Sequence, residues 1–265
     1  MNSGQTGSLD RVVVVYGGTS AERDVSLKSG AAILAALKRQ GVDALGYDPK
    51  EGGLAGLERL APSAVFVALH GRGGEDGTFQ GALELLGVPY TGSGVLACAL
   101  SMDKVRTKAL WAAQGIPTPA HRLLDANTES KAVVEALGLP LIVKPVHEGS
   151  TIGISKVERI EDLDAARAEA AKYDREVMAE QFVNGPEYTA AILDGRALPL
   201  IHIEPSSGFY DYEAKYVAND TLYHCPCDLE QGREAELQRL ALRAFEITGA
   251  TGWGRVDLML DDAGQ

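Results

Sequence analysis

Residues 141–157 constrain the fold most, because they combine an apolar strand, a glycine-rich loop and a lysine. The apolar run 141–143 is ended by Pro145, and apolar residues resume at Ile152, which predicts two strands joined by a loop. Lys144 lies in the first strand, beside glycines and hydroxyls. Glycines let backbone N–H groups approach an anion, and an ammonium adds charge. The segment is therefore a candidate anion site; a hairpin whose lysine extends to solvent fits the same pattern.

The N-terminal residues 11–47 have the pattern of a β-α-β unit. An apolar strand is followed by two glycines and by a helix that ends at about Gly41. The G-x-G-x-x-G fingerprint of dinucleotide-binding folds is absent, so a Rossmann dehydrogenase is a distant alternative. Ligands of open α/β sheets bind at the carboxyl ends of strands. Glu22 follows such an end and could hold an ammonium group; equally, it could be an acid that the helix dipole favours.

A second polar loop follows the apolar strand predicted at 64–69. Residues 70–81 contain five glycines among twelve positions, which predicts a loop. The same loop carries histidine, arginine, glutamate and aspartate, an unusual set for a plain connection. An isolated histidine is most often structural, but in this loop we interpret His70 as a ligand contact.

Residues 101–260 alternate between strand and helix patterns, which predicts a mixed structure of helices and strands. A breaker-rich linker at 115–119 follows the first helix, and we place a domain boundary near residue 102. Asp194 and Gly195 form a hairpin signal. The predicted helices are 101–114, 128–137, 162–172 and 230–248, and the predicted strands are 121–124, 176–183, 187–193, 197–204 and 252–260.

Two further features of this half suggest a binding site. Residues 205–226 form a long segment with little periodicity and several aromatic residues, which is typical of a functional lid. Arg255 and Asp257 are two apart in a strand and share one face. The arginine could stabilise an oxyanion and the aspartate could bind a metal ion. Equally, the two side chains could form a plain salt bridge. Backbone groups near 180–183 could contact an adenine edge, or could belong to an ordinary meander.

Composition excludes several classes of protein. The net charge of −12 argues against a nucleic-acid partner. No apolar run approaches the roughly 20 residues that span a bilayer, and the polar N-terminus lacks a signal region, so we expect no membrane association and a cytoplasmic protein. Three cysteines form neither a disulfide framework nor a zinc site.

Together, the motifs resemble those of the D-alanine–D-alanine ligases of the ATP-grasp superfamily, in the order of that family. The resemblance implies an α/β (α+β) fold class. A Rossmann-like N-terminal substrate domain (1–102) would be followed by an ATP-grasp fold with a central subdomain (103–188) and a C-terminal subdomain (189–265). The segments that carry the resemblance are 17–26, 70–81, 101–104, 144–150, 180–187, 211–216 and 252–257.

The resemblance implies ATP-dependent ligation of two D-alanine molecules for peptidoglycan precursor synthesis. ATP would phosphorylate one D-alanine carboxylate, and the amine of a second D-alanine would attack the acyl phosphate. The residues implied to bind ATP are Lys104, Lys144, Ser150 and Lys215 at the phosphates, Glu180, Phe182 and Val183 at adenine, and Glu187 at the ribose.

The remaining implied roles concern D-alanine, the lid and the metal ions. Glu22 would bind the first ammonium group, with His70 near the carboxylate. Glu22, Ser150 and Tyr216 would form a hydrogen-bonded link that closes the site. Arg255 would stabilise the tetrahedral oxyanion. Asp257 would bind one of two Mg²⁺ (or Mn²⁺) ions, and the family implies a homodimer.

The sequence departs from the family pattern at its end, Gln265. The family pattern continues with a strand carrying a glutamate and an asparagine that bind magnesium, so we expect a truncated chain that binds nucleotide better than it catalyses. Two alternatives stay open. One is an ATP-grasp carboxylate–amine ligase with another acceptor, and the other is a nucleotide-binding fragment that is inactive because these ligands are missing.

Overall fold

The computed structural model describes residues 11–205 and 221–265 and contains both helices and sheets. The chain divides into two compact units, one ending at Ala99 and one beginning at Leu100. The further division of the second unit near residue 188 stays a prediction. None of the helices in the described ranges is both long enough and apolar enough to cross a membrane.

The first unit is built on a parallel three-stranded sheet. The strand order is β2-β1-β3, and Val12 of β1 pairs with Ala44 and Ala64 on either side. All four residues of β1 are buried, as expected of a parallel strand covered on both faces. The elements are β1 (Val12–Val15), α1 (Arg23–Arg39), β2 (Ala44–Tyr47), α2 (Pro49–Arg59), β3 (Ala64–Val67), α3 (Thr78–Leu86) and α4 (Val95–Met102), whose last three residues belong to the second unit.

Helix α1 packs against the end of β1 at a glycine. A Cβ atom on Gly30 would lie 2.2 Å from the Cβ atom of Tyr16, which is closer than packed atoms approach. The absence of a side chain therefore lets α1 lie directly on Tyr16. This packing places the turn before α1 at the carboxyl edge of the sheet.

The second unit begins with an antiparallel four-stranded sheet in the order β4-β7-β5-β6. Buried side chains of the strands and of helices α6 and α7 form one core, including Val133, Leu141 and Val177. The elements are α5 (Lys104–Ala113), β4 (His121–Leu124), α6 (Ser130–Leu137), β5 (Leu141–Pro145), β6 (Ser155–Val157), a 3₁₀ turn (Ile160–Asp162), α7 (Leu163–Ala170) and β7 (Val177–Gln181).

A second antiparallel sheet follows, in the order β11-β10-β8-β12, with β9 paired to β8. Asp194 and Gly195 both have positive φ, 47° and 70°, so the predicted Asp-Gly hairpin turn is confirmed. The Trp111 indole N–H donates to the Ala244 carbonyl at 3.0 Å and ties α5 to α8. The elements are β8 (Glu187–Leu193), β9 (Arg196–Ala197), β10 (Ile201–Glu204), β11 (Leu222–His224), α8 (Gln231–Ile247) and β12 (Trp253–Met259).

Three sequence predictions about elements were wrong. The helix predicted over 101–114 is broken at Asp103, whose side chain caps α5 by accepting from the Arg106 N–H. The strand predicted over 197–204 is interrupted between β9 and β10. The segment 205–226 is not wholly irregular, since β11 pairs with β10. In each case a local apolar pattern gave no indication of a cap or a long-range strand partner.

Candidate active site

A large cleft lies within the second unit. Its volume is about 1350 Å³, and residues of both antiparallel sheets line it. The lining includes Lys104, Lys144, Glu180, Phe182, Val183 and Asp257 from the sequence-predicted site, together with Lys108. Glu187 begins β8 and is not among the described residues that line the cleft.

Glu180 lies between two lysines in the lining of this cleft. One carboxylate oxygen pairs with Lys144, and the other lies 3.0 Å from the ammonium of Lys108. Lys108 also donates to the Thr118 hydroxyl at 2.7 Å. Burial raises the pKa of the Glu180 carboxyl, but the two ammonium charges outweigh burial and leave that pKa below its ordinary value. The cluster therefore holds a charged carboxylate in a largely buried position.

Sequence reasoning missed Lys108. The spacing of Lys108 from Lys104 could have indicated it, because residues four apart lie on one face of a helix, here α5. Its side chain is only 7% exposed, and burial lowers its pKa. A buried lysine is unusual without a partner, and here Glu180 is that partner.

Lys104 holds the start of the loop between β5 and β6. Its ammonium donates to the Val146 carbonyl at 3.0 Å and to the Glu148 carbonyl. Burial, followed by the charge of Lys144, lowers the pKa of Lys104 to about 8. The same loop then passes through Ser150 and Thr151 with φ values of 51° and 63°. Such conformations are costly for residues other than glycine and occur often in ligand-binding loops.

Phe182 and Val183 supply apolar surface to the cleft. The ammonium of Lys156 lies 4.5 Å from the centroid of the Phe182 ring, within the range of a cation–π contact. Lys156 belongs to β6, so this contact joins the ring to that strand. A flat apolar ligand group could pack against this aromatic side chain.

Arg255 and Asp257 form an ion pair on β12. Two nitrogens of Arg255 lie 2.9 and 3.0 Å from the two Asp257 oxygens, and the Thr189 hydroxyl donates to Asp257 at 2.8 Å. The predicted alternation is confirmed, since both residues lie on the exposed face of the strand. Within the described ranges, no group of three or more histidine, cysteine or acidic side chains is arranged to hold a metal ion.

The first unit contains a smaller pocket of about 170 Å³ at the carboxyl edge of its sheet. His70 and the turn 17–20 line this pocket, and the Ser20 hydroxyl donates to the His70 carbonyl at 2.7 Å. The polar loop that follows β1 is therefore in contact with the polar loop 70–81 that follows β3. The Arg23 guanidinium pairs with Asp48 at 2.7 Å and donates to the Gly18 carbonyl, which fixes the turn.

His70 and Glu22 lie close to this junction. His70 Nδ1 is 3.5 Å from Glu75, and Nε2 is 3.3 Å from the Ser29 hydroxyl. Hydrogen bonding to Glu75 raises the pKa of His70 above its ordinary value, and the charge of Glu22 adds to the shift. Glu22 is buried and is the N-cap residue of α1, but its side chain does not cap the helix. A Cβ atom on Gly71 would lie 2.6 Å from a Glu22 oxygen, so the glycine leaves room for that carboxylate.

Two predicted site residues, Lys215 and Tyr216, lie outside the described residues. Glu22 belongs to the first unit and Ser150 to the second. The predicted link between Glu22, Ser150 and Tyr216 therefore stays a prediction.

Two family models and several known proteins match this chain. The family model described as D-ala D-ala ligase C-terminus matches residues 110–265, and that described as D-ala D-ala ligase N-terminus matches residues 49–93. The D-alanine--D-alanine ligase of Chromohalobacter salexigens is 62% identical over 255 residues, which cover 96% of this chain and 81% of that protein.

Two solved structures are similar over nearly the whole chain. The D-alanine--D-alanine ligase of Bacillus anthracis complexed with ATP has a TM-score of 0.82 at 29% identity and covers 95% of this chain and 82% of its own. The VanG D-Ala:D-Ser ligase of Enterococcus faecalis has a TM-score of 0.79 at 31% identity, with coverages of 97% and 88%. The α/β fold with an ATP-grasp architecture, expected from the sequence, is thereby confirmed.

Proposed function

This chain belongs to the D-alanine–D-alanine ligase family, and from that premise we propose how its residues carry out the ligation. It is an ATP-dependent ligase that joins two D-alanine molecules through an acyl phosphate. The dehydrogenase alternative is not supported, and a ligase with another acceptor is not favoured. The observation that carries the assignment of sites is the cluster of lysines around Glu180 in the cleft.

We propose that the cleft of the second unit binds ATP. The cleft lining includes a cluster of three lysines and one glutamate, with a net charge of +2 among these four residues: Lys104, Lys108, Lys144 and Glu180. Phosphoryl transfer depends mainly on positioning and on charge stabilisation. We assign Lys144 and Lys104 to the phosphates, with Ser150 from the neighbouring loop and Lys215 from the segment 206–220. Phe182, Val183 and the edge at Glu180 would contact adenine, and Glu187 the ribose.

We propose that the pocket of the first unit binds the first D-alanine. Glu22 would hold its ammonium group, and His70 would lie near its carboxylate. The raised pKa of His70 supports this role, because a larger fraction of protonated imidazole favours an anionic group nearby. Arg255 would stabilise the oxyanion that forms when the second amine attacks. Tyr216 would join Ser150 and Glu22 when the site closes, which protects the acyl phosphate from water.

Asp257 fits the expected magnesium or manganese ion as one ligand. It is a carboxylate on the cleft wall, and its side chain is 42% exposed. Magnesium is usually held by one or two carboxylates together with substrate phosphates. Bound there, the ion would neutralise phosphate charge. We also propose, on family grounds, a second ion, a homodimer and a cytoplasmic location; sedimentation analysis tests the dimer.

The test of the function is ADP release with ATP and magnesium in the presence of D-alanine. D-Serine, L-alanine and β-alanine serve as matched controls, because each changes one feature of the substrate. Formation of D-alanyl-D-alanine in proportion to ADP supports the proposal. Turnover that is faster with one of the other amino acids would assign a different acceptor.

We predict that the acceptor is D-alanine rather than D-lactate. The physical reason is the Tyr216 hydroxyl, which can complete the link to Ser150 and Glu22. With both acceptors present near neutral pH, dipeptide should predominate over depsipeptide, and Tyr216→Phe should lower this selectivity. A predominance of depsipeptide from the unaltered chain would contradict the assignment.

We predict that ATP affinity falls as the pH rises above about 8, the pKa of Lys104. The protonated lysine attracts phosphate and the neutral amine does not, so the contribution of Lys104 to affinity is greatest below this pKa and is lost above it. Because bound phosphate itself stabilises the ammonium, the midpoint should lie at or above the value for the free protein. Titration calorimetry between pH 7 and 10 measures this dependence. In Lys104→Arg, whose side chain stays charged, the same titration should be flatter; an equal slope in both proteins would assign the effect elsewhere.

A further inference from the structure

The loop that follows β5 is held at its first three residues. The Val146 N–H donates to the Glu176 carbonyl at 3.0 Å. The Val146 carbonyl accepts from both nitrogens of Lys104, which also binds the Glu148 carbonyl. The backbone on either side of His147 is therefore attached to α5 and to the segment that enters β7. We call residues 146–148 the loop root.

The His147 ring lies between two buried carboxylates. Its Nδ1 is 2.7 Å from Asp174, and its Nε2 is 3.2 Å from Asp103. The His147 backbone N–H donates to the same Asp174 oxygen at 2.7 Å. A third carboxylate, that of Glu176, lies 3.7 Å from Nε2. Ionised carboxylates only accept hydrogen bonds, so each ring nitrogen of His147 faces an acceptor, Asp174 at Nδ1 and Asp103 at Nε2.

Both carboxylates are themselves fixed. Asp103 caps α5 through the Arg106 N–H at 2.8 Å and also pairs with the Arg106 side chain. Asp174 precedes β7 and is almost completely buried. Burial raises the pKa of each carboxyl, but hydrogen bonds from Arg106, His147 and Glu176 leave both pKa values below the ordinary value. Charged acceptors therefore face the ring from α5 and from the entry to β7.

We propose that His147 is a positioning residue that sets the loop root, and through it residues 148–153, which under the proposed function would cover the acyl phosphate. This inference rests on the proposed function. Lys104 and Asp103 are consecutive at the start of α5, so one helix end holds the loop backbone through an ammonium and the loop histidine through a carboxylate. Loss of the histidine ring would leave the lysines of the cleft in place and would remove the ring contacts with Asp103 and Asp174 that fix the loop at its second residue.

A displaced loop should uncouple ATP consumption from dipeptide formation. When the cover fits, the second D-alanine amine attacks the acyl carbon and phosphate leaves. When it fits poorly, water attacks the acyl phosphate instead, so D-alanine and phosphate are regenerated and ATP is consumed without dipeptide. Phosphate released per dipeptide formed therefore reports the position of the loop, whereas ATP affinity reports the lysines.

The experiment compares His147→Ala and His147→Arg with the unaltered chain. In His147→Ala we expect phosphate per dipeptide to rise about 3-fold or more and kcat to fall about 10-fold, with KM for ATP changed by less than about 3-fold. In His147→Arg the ratio should return close to that of the unaltered chain, because arginine can donate to both carboxylates. Asp174→Asn, which keeps the side-chain shape, should also raise the ratio and serves if His147→Ala does not fold.

Val133→Ala is the matched control for stability. Val133 is fully buried in the core of the same sheet, so this variant should lower the melting temperature and leave the ratio unchanged. The inference is wrong if Val133→Ala raises the ratio of phosphate to dipeptide as much as His147→Ala does. It is also wrong if His147→Ala keeps the ratio and the kcat of the unaltered chain. If the unaltered chain forms no dipeptide, the proposed function fails instead.

Discussion

Replacing Glu180 with alanine should lower the free energy of unfolding by about 3–5 kcal/mol, the range for removing one partner of a buried ion pair. The side chains of Glu180 and Lys108 are 12% and 7% exposed, so neither lysine of the cluster can be fully solvated when the carboxylate is lost. Two like charges would then face each other in a region of low dielectric constant. Chemical denaturation of the purified chain measures the loss.

Glu135→Ala is the matched control for this prediction. Glu135 pairs with Lys131 on the surface of α6, where both side chains are largely exposed, and exposed pairs contribute about 0–1 kcal/mol. A loss in Glu180→Ala no larger than that of the control would show that water reaches the cluster and solvates both lysines.

The contribution of Glu180 should also depend on pH in a defined direction. Its pKa is lowered by folding from an ordinary value of 4.5. A carboxyl whose pKa falls on folding stabilises the native state above its unfolded pKa, and this stabilisation is lost as the pH falls through the lower, folded value. The difference in stability between the original chain and Glu180→Ala should therefore be full at neutral pH and shrink below about pH 4.5. A difference that grows on acidification would contradict the charge argument.

Replacing Lys144 with alanine should weaken ATP binding by about 1–3 kcal/mol, or about 5–150-fold, as expected for a lost charge-assisted contact. Lys144 lines the cleft and also pairs with Glu180. Its removal takes a positive charge from the proposed phosphate site and leaves more of the Glu180 charge exposed to an incoming anion. Titration with a non-hydrolysable ATP analogue measures binding without turnover.

The control for Lys144 is Lys131→Ala, a lysine whose side chain is 80% exposed on α6 and which should bind the analogue normally. Lys215→Ala should resemble Lys144→Ala if both contact phosphate. Unchanged affinity in both variants would remove the phosphate roles of these two lysines.

Local patterns in the sequence were enough to predict most elements and several candidate site residues. Strand β8 begins and ends where the apolar run and the Asp194–Gly195 turn indicated, because strand pattern and turn chemistry are short-range properties. The outward alternation of Arg255 and Asp257 also follows from the period of a strand. Lys144 stood out because a charged residue interrupts an apolar run.

Tertiary structure alone decided how these residues are paired. The sequence cannot indicate that Lys108 shares Glu180 with Lys144, because those residues meet only when α5 packs against the sheet. For the same reason it could not show that β11 pairs with β10, or that His147 bridges Asp103 and Asp174. Arg255 and Asp257 are close in sequence, yet the choice between an ion pair and separate roles depends on side-chain conformation. The local pattern of the chain determined where helices and strands lie along the sequence and which of them carry charged residues. Long-range packing determined which charged side chains are paired.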